Sequence, residues 1–523
     1  MKKPLLFALT LMLALTACQP NLAAPRPQAT HTADSAPPPA ALPTQPPAPS
    51  PTALPTRAEQ PKPTPTVPLE SPLALPKPPE PRPKYALEAW LDYAQHRLRV
   101  VERVDYPNTA GARLTALTLV VEPLRHPGVF QLGRIFDAEG QRVTNYRFED
   151  LKLALPLTAP LDPGEWAVFT LEYALQLPSL SGLPGSRPQP LSYNELQANF
   201  GDWYPYIPPY SPAEGWLAHP AAAVGEHLVY DPADFEVTLH LEGAQTALVI
   251  AASAQPDETG DGWQRFEQRA ARSFAWSASP FYETLTQTVQ LAEGREAVAL
   301  SYFFPYHRQA GESLLRTLVE ALTLYSELFG VYPRAALTAV QADFLDGMEY
   351  DGLFFLSTDF YNWHKDTPED FLTALGAHET SHMWWLGLVG SDQAREPWLD
   401  EALATYSERL YYERYYPAAL DWWWTWRVNY YEPAGPIDIQ IYNLLAAPQQ
   451  WRLYRDPVYL GGALFLEELR QWMGDEGFFA ALKEYVRRYA YRQADGAGFL
   501  EIMRQHSSQD PAPVIEKYFK YLR

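Results

Sequence analysis

One cysteine, Cys18, stands in a chain of 523 residues. A lone thiol excludes an internal disulfide and any thiolate cluster for a metal. Positive charge is scarce as well: 41 Lys and Arg face 62 Asp and Glu, a formal net charge of −21. That balance repels a phosphate backbone, and no basic stripe is there to release counterions, so nucleic acid is excluded as an expected partner. No glycine-rich phosphate loop, nucleophile elbow or internal repeat occurs. The acidic balance itself reads as a solvated surface, with at most some steering of cationic peptides.

What the chain does have is apolar mass. Hydrophobic residues make up 47% and aromatics 14%, with 16 Trp and 32 Tyr, far too much for a mainly disordered protein. The length favours two or three folded units joined by linkers. At the start, Lys2 and Lys3 precede the apolar run Leu5 to Leu15, which is too short to span a bilayer and suits the hydrophobic region of an export signal. The run ends in Leu15-Thr16-Ala17-Cys18. This resembles the bacterial lipoprotein signal, in which cleavage leaves the cysteine as an acylated first residue. Residues 1–18 are therefore expected to be a lipoprotein signal peptide, and the protein to be anchored to a membrane by lipid at Cys18, outside the cytoplasm in a bacterial cell envelope. An ordinary secretory signal with an incidental cysteine is the alternative.

From Gln19 to Lys84, Pro, Ala and Thr dominate, as in Pro37-Pro38-Pro39 and Pro61-Lys62-Pro63-Thr64-Pro65. Residues 19–84 read as a disordered spacer, reaching up to roughly 200 Å at about 3.1 Å per residue of polyproline II geometry. After Tyr85 apolar residues alternate. Phe235-Glu236-Val237-Thr238-Leu239-His240-Leu241 and the run Leu114 to Val121 predict half-buried strands. Turn signals such as Asp162-Pro163-Gly164 separate them, so residues 85–306 are expected to form an all-β sandwich. Beyond Arg308 the period turns helical: Leu314, Leu315, Leu318, Leu322, Tyr325 and Leu328 form a stripe that stops at Gly330. Two extended runs, Ala335 to Ala342 and Gly352 to Thr358, precede a mainly helical remainder, making residues 307–523 an α+β second domain.

Thr367-Pro368-Glu369-Asp370 predicts a helix start, with Thr as the cap, Pro in the first helical position and carboxylates complementing the dipole. On that helix, His378-Glu379-Thr380-Ser381-His382 places two imidazoles four residues apart on one face, with Glu379 beside them. Two histidines leave a tetrahedral ion short of a ligand. Glu401, nineteen residues after His382 within Trp398 to Tyr406, is the candidate third, with the fourth place open to water. Two imidazoles and one carboxylate with an open position suit one zinc ion. Such an ion lowers the pKa of its water toward about 7, and Glu379 stands where a general base is needed. Two stacked helix histidines satisfied by hydrogen bonds are the bland alternative.

With Trp384-Trp385 after the second histidine and the stretch Trp398 to Tyr406, this constellation resembles the aminopeptidase N family of zinc metallopeptidases, whose signature is the five-residue motif with a glutamate ligand nineteen residues on. The resemblance implies a β domain packed beside a thermolysin-like, mainly α (α+β) catalytic domain. Upstream, Asp346-Gly347-Met348-Glu349-Tyr350 resembles the family's Gly-x-Met-Glu-Asn segment, departing from it at Asp346 and Tyr350. It implies that Gly347 and Met348 bind the substrate backbone and that Glu349 receives a free α-amine. Downstream, Tyr459-Leu460-Gly461-Gly462 resembles Tyr-x-Lys-Gly, with Gly461 in place of the lysine, and implies that Tyr459 hydrogen-bonds the developing oxyanion. Many members continue into a long helical domain that this chain is expected to lack, leaving a more open cleft.

The expected function is therefore a zinc aminopeptidase that hydrolyses the first bond of peptides with a free amino terminus, through a zinc-activated water and Glu379. A zinc endopeptidase or other zinc hydrolase of this fold, or a non-catalytic peptide-binding lipoprotein, remain the alternatives. Asp400 and Thr405 are candidates for supporting the ligands, with ordinary helix or surface roles as their alternative. His364 is expected to be a loop residue rather than a ligand. Trp422-Trp423-Trp424 with Trp426 are expected to be core or pocket wall, with a carbohydrate or membrane platform as the rival.

Overall fold

Alternation shapes the first domain. Along Lys84–Asp92 every second side chain is buried, from Tyr85 to Leu91, and Arg97–Pro107 repeats the pattern with Leu98, Val100 and Val104, as period-two strands do. The computed structural model describes residues 75–183, 187–243, 247–444 and 450–522. Cys18, the signal-like start and the spacer up to residue 74 lie outside the described residues. Among the described residues no helix is long and apolar enough to cross a membrane.

These two strands lie inside a seven-stranded sheet with the order Glu258–Gly260, Trp263–Ala271, Ala233–Glu242, Lys84–Asp92, Arg97–Pro107, Trp166–Gln176 and Phe130–Asp137. Lys84–Asp92 and Ala233–Glu242 run parallel, with Leu87 opposite Val237; the other pairs in this sheet are antiparallel. A three-stranded sheet, Leu114–Val120, Lys152–Leu161 and Arg147–Glu149, adds Leu117, Leu119 and Leu153 to the same core. Apolar faces meeting across two sheets make a sandwich. The strands expected around Phe235 and Leu114 lie within Ala233–Glu242 and Leu114–Val120. A four-stranded sheet, Val249–Ala252, Trp276–Ser279, Ala198–Phe200 and Leu191–Tyr193, seats Trp276 flat against Phe200, ring centroids 3.7 Å apart.

The second domain begins earlier than the change of sequence period at residue 307 indicates. Strands Glu283–Gln290 and Glu296–Phe303 belong to its five-stranded sheet, continuing through Ala336–Ala342, Leu353–Ser357 and the edge strand Gly347–Tyr350. The pairing that recruits them is parallel, Val298 opposite Ala336, a non-local contact that alternation in either strand does not reveal. Helix Arg308–Phe329 covers the sheet with Leu314, Leu318, Leu322 and Tyr325 buried, and it stops at Gly330, whose φ of 111° suits glycine. Helices Phe371–Ser381, Trp398–Tyr415, Gly462–Tyr489 and Gly496–His506 complete the domain.

The junction is polar and buried. Arg272, at the end of a β-domain strand, donates to the carbonyls of Tyr230 (2.6 Å), Gly387 (3.2 Å) and Arg492 (2.8 Å). Arg334 pairs with Asp351 at 2.6 Å, and Asp351 also accepts the Arg272 amide at 3.0 Å. Ordered structure also reaches into the expected spacer: Arg82 is buried against Asp234 at 2.6 Å, and the first strand starts at Lys84. An arginine with a buried carboxylate partner is anchored even in a Pro-rich segment.

Candidate metal centre and cleft

The helix that carries His378 runs from Phe371 to Ser381 with His382 as its C-cap, and its N-cap is Asp370, whose carboxylate accepts the Thr373 amide at 2.9 Å. This corrects the expected start at Thr367 and Pro368. Those residues lie just outside the helix, where the Pro368 carbonyl accepts the Tyr412 hydroxyl, and Asp370 also takes His364 Nδ1 at 2.6 Å. His364 is thus a loop residue that ties the cap, its other nitrogen lying 3.0 Å from Ser313 Oγ.

His378, His382 and Glu401 converge, with ligand atoms all within 4.8 Å of one another and all three side chains buried. Glu401 Oε2 lies 3.3 Å from His378 Nε2 and 3.8 Å from His382 Nε2, and among the described residues it has no hydrogen-bond partner. A buried, unpartnered carboxylate oxygen facing two imidazole nitrogens is costly unless a cation completes it, so the donor set fits zinc. The far side of each ligand is secured. His378 Nδ1 lies 2.8 Å from Glu408, and His382 Nδ1 lies 2.6 Å from Asp400, which orients both Nε2 atoms inward. Glu408 is fully buried and also accepts from Trp423 (2.9 Å) and Arg427 (2.8 and 2.9 Å). Burial pushes the Glu408 carboxyl up, but Arg427 and His378 outweigh it and hold it below the usual carboxylate range. Gln393 donates to Asp400. The buried Thr405 hydroxyl bonds nothing among the described residues.

Glu379 lies against the edge strand. A Cβ at Gly347 would sit 2.1 Å from Glu379 Oε1, so only glycine lets the strand approach the carboxylate this closely. Glu379 Oε2 is buried and unpartnered. Its carboxyl is pushed up to about 7 by burial, opposed by the two imidazoles and reinforced by Glu401 and Asp346. Tyr459 sits in a wide turn of π-helix, Asp456–Gly461, a device common at functional sites. Its hydroxyl donates to Glu401 Oε1 at 2.5 Å, next to the metal ligands.

Glu349 is buried on the edge strand with Oε1 unpartnered, and it comes within 4.8 Å of Glu379 and His382. Met348 lines a cavity of about 70 Å³ behind it. The β domain supplies a residue that sequence reading missed: Glu226, which groups with Glu349 and Glu401 within 4.8 Å. It follows Gly225, whose φ is 74° and whose Cβ position lies 2.5 Å from Ile441, a contact that no local sequence signal announces. Burial raises the carboxyls of Glu349 and Glu226 above the usual range; His382 opposes this at Glu349, Arg187 and His382 oppose it at Glu226, and neighbouring carboxylates push both further up. The main cleft, about 290 Å³, is lined by the three metal-ligand candidates together with Glu379, Tyr459, Gly347, Glu349 and Glu226, but not by Met348. The tryptophan run divides: Trp423 is core, Trp422 and Trp424 are half-buried, and Trp426 is exposed.

Residues 314–518, which hold the metal-ligating helix pair under the sheet edge, match the peptidase family M1 domain. That match implies a catalytic zinc at this donor set. Among curated relatives it is 26% identical over 218 residues to Aminopeptidase M1-D of Oryza sativa subsp. japonica, covering 38% of this chain and 24% of that protein. It is 24% identical over 157 residues to Aminopeptidase N of Lactococcus lactis subsp. cremoris, covering 29% and 18% respectively. The chain thus spans about a quarter or less of the length of these two relatives. In fold it is similar to the M1 zinc metallopeptidase of Deinococcus radiodurans, with a TM-score of 0.59 and 19% identity over 87% of this chain and 98% of that one. A mutant of that protein has been solved with a Tyr-Ser-Ala substrate.

Proposed function

We propose that this protein is a zinc aminopeptidase that removes the first residue from peptides with a free amino terminus. One observation carries the reading: beside the metal ligands, buried Glu349 and half-buried Glu226 converge, and among the described residues Glu349 Oε1 has no hydrogen-bond partner and no Lys or Arg forms an ion pair with Glu349. A buried acid pushed up by burial and by neighbouring carboxylates, Glu226 among them, gains most from a cation placed beside it, and the ammonium of a peptide's first residue is such a cation. Gly347–Tyr350 is a sheet edge, able to pair with an extended peptide backbone and set its register.

Zinc held by His378, His382 and Glu401 would polarise the scissile carbonyl and acidify the attacking water. Glu379 takes the proton of that water at Oε2 and delivers it to the departing nitrogen as the C–N bond breaks. Tyr459 turns its hydroxyl from Glu401 to the carbonyl oxygen as charge builds there. Asp400 and Glu408 keep both imidazoles in the tautomer that presents Nε2.

The test uses a free peptide and its amino-acetylated twin, followed by mass spectrometry. Stepwise loss from the free peptide alone, abolished in Glu379→Gln with a rate loss on the order of 10² to 10⁴, is the expected result. Internal cuts in both peptides would make the protein an endopeptidase, and no metal-dependent cleavage of any peptide would make it a binder.

The same reading keeps the lipoprotein assignment at Cys18, which places the enzyme outside the cytoplasm on a membrane. Two acyl chains suffice for stable anchoring, so Cys18→Ala should move the protein from the detergent phase to the aqueous phase. Retention in the detergent phase would remove the anchor from the account.

A further inference from the structure

We propose that the aromatic groove beyond Phe371 receives the third and later residues downstream of the scissile bond, so that the enzyme favours peptides of five or more residues with apolar side chains at positions four and five. This rests on the aminopeptidase reading for its orientation. Glu349 comes within 4.8 Å of Glu379 and His382, so the peptide's ammonium lies at the carboxy-terminal end of the motif helix. The chain must then run toward the helix start, and the cleft does so: Phe371 and Leu375 line it along with His378 and His382.

At Phe371 the cleft does not end. Phe371, Trp363 and Tyr431 line both it and a second cavity of about 300 Å³ whose walls are Trp422, Trp426 and Tyr430. From His378 back to Phe371 is seven residues of helix, about 10 Å at 1.5 Å per residue, which an extended peptide crosses in about three residues.

The groove's composition selects the occupant. Trp363, Trp426 and Tyr430 are 59%, 50% and 65% exposed, a concentration of wet aromatic surface that marks an interaction site. They are also arranged: Trp426 and Tyr430 rings lie 5.5 Å apart, Tyr430 meets Tyr431 edge-on at 5.2 Å, and Arg455 covers Tyr431 at 3.9 Å. The charged groups of the lining are Lys365, Glu369 and Asp370, a net acidic set that disfavours an anionic lipid surface. Rigid aromatic faces open to a peptide cleft fit apolar and aromatic side chains.

The experiment compares Leu-Ala, Leu-Ala-Ala-Ala-Ala and Leu-Ala-Ala-Phe-Phe as substrates. In wild type, kcat/KM for the Phe-Phe pentapeptide should exceed that for the all-Ala pentapeptide about tenfold, mostly through KM. Trp426→Ala and Tyr430→Ala should each bring that ratio down toward one, while Trp166→Ala, an exposed tryptophan of the β domain, should leave it unchanged. A wild-type ratio near one, or a ratio unmoved by both groove variants, overturns the assignment. Calorimetric binding of the two pentapeptides to Glu379→Gln gives a readout independent of turnover. Phe-dependent affinity that Trp426→Ala abolishes supports the groove even if no peptide is cleaved and the aminopeptidase reading fails. Affinity indifferent to Phe overturns the groove even if cleavage proceeds. Loss of oligosaccharide or vesicle binding in the groove variants, with peptide selectivity intact, also overturns it in favour of a glycan or membrane partner.

Discussion

On the metal side of the cleft, the ligands come from two helices close in sequence, and every atom not facing the ion is held: His378 by Glu408, His382 by Asp400, Glu401 by Tyr459. On the amine side, Glu349 comes from a sheet edge and Glu226 from a β-domain loop, and Glu349 keeps an unpartnered oxygen. One wall is fully bonded by the protein itself; on the proposed reading the other would be completed by substrate. Precision around the metal is set by folding, while under the proposed reading amine recognition would depend on how the two domains dock.

The sharpest way to break this contrast is at Glu408. Its carboxylate orients His378 and neutralises buried Arg427. Glu408→Ala should weaken zinc binding roughly 10- to 100-fold and cost about 3 to 5 kcal/mol of stability, because Arg427 is left buried and unpaired. Chelator competition and denaturant unfolding measure the two effects. Wild-type zinc affinity in a folded variant would show that the metal wall does not rely on its outer bonds.

Next in size is Glu226. If the amine wall is assembled by docking, Glu226→Gln should raise KM for free peptides about tenfold, corresponding to the loss of one charge-assisted hydrogen bond worth about 1.5 kcal/mol, with zinc content and kcat little altered. An unchanged KM would leave Glu349 as the sole anchor.

The same division governs what could be read from the chain. His378, Glu379 and His382 were legible because helical periodicity brings i and i+4 together, and Glu401 because it sits at a fixed distance on the adjacent helix. Glu408 was within reach too: it lies seven residues after Glu401, two turns along one helical face. Glu349 was reached only through the Gly347-Met348-Glu349 resemblance. Glu226 was out of reach, since nothing local distinguishes it until Gly225 folds against Ile441. Strands Glu283–Gln290 and Glu296–Phe303 show the same limit in the fold. Their alternation is that of the sandwich, and the parallel partner that claims them, Ala336–Ala342, lies beyond a 22-residue helix.

The smallest effect on substrate binding concerns the bond that sets Glu349's strand against the β domain. Asp202 accepts hydroxyls from Tyr350 at 2.9 Å and Tyr230 at 2.6 Å, and Gly201 beside it leaves Tyr350 room that a Cβ, at 2.1 Å from the phenol oxygen, would take away. Burial pushes the Asp202 carboxyl up to about 6, against the Tyr230 and Tyr350 hydrogen bonds, whereas in the unfolded chain it titrates near 3.9. The folded protein therefore binds more protons between pH of about 4 and 6. The stability due to this group is full below that window, declines as pH rises through it, and is lost above the folded pKa, by roughly 2 to 3 kcal/mol in all. Asp202→Asn should remove that decline, so the difference in unfolding free energy between wild type and variant should slope across pH 4 to 6 and be flat on either side. It should also loosen Tyr350 and raise KM a few-fold without touching zinc affinity. Equal slopes in the two proteins would mean Asp202 is solvated and the strand is held by its sheet pairing alone; a change in zinc affinity would mean the two walls are coupled through Gly347 and Glu379, and the contrast between them would give way to a single preorganised site.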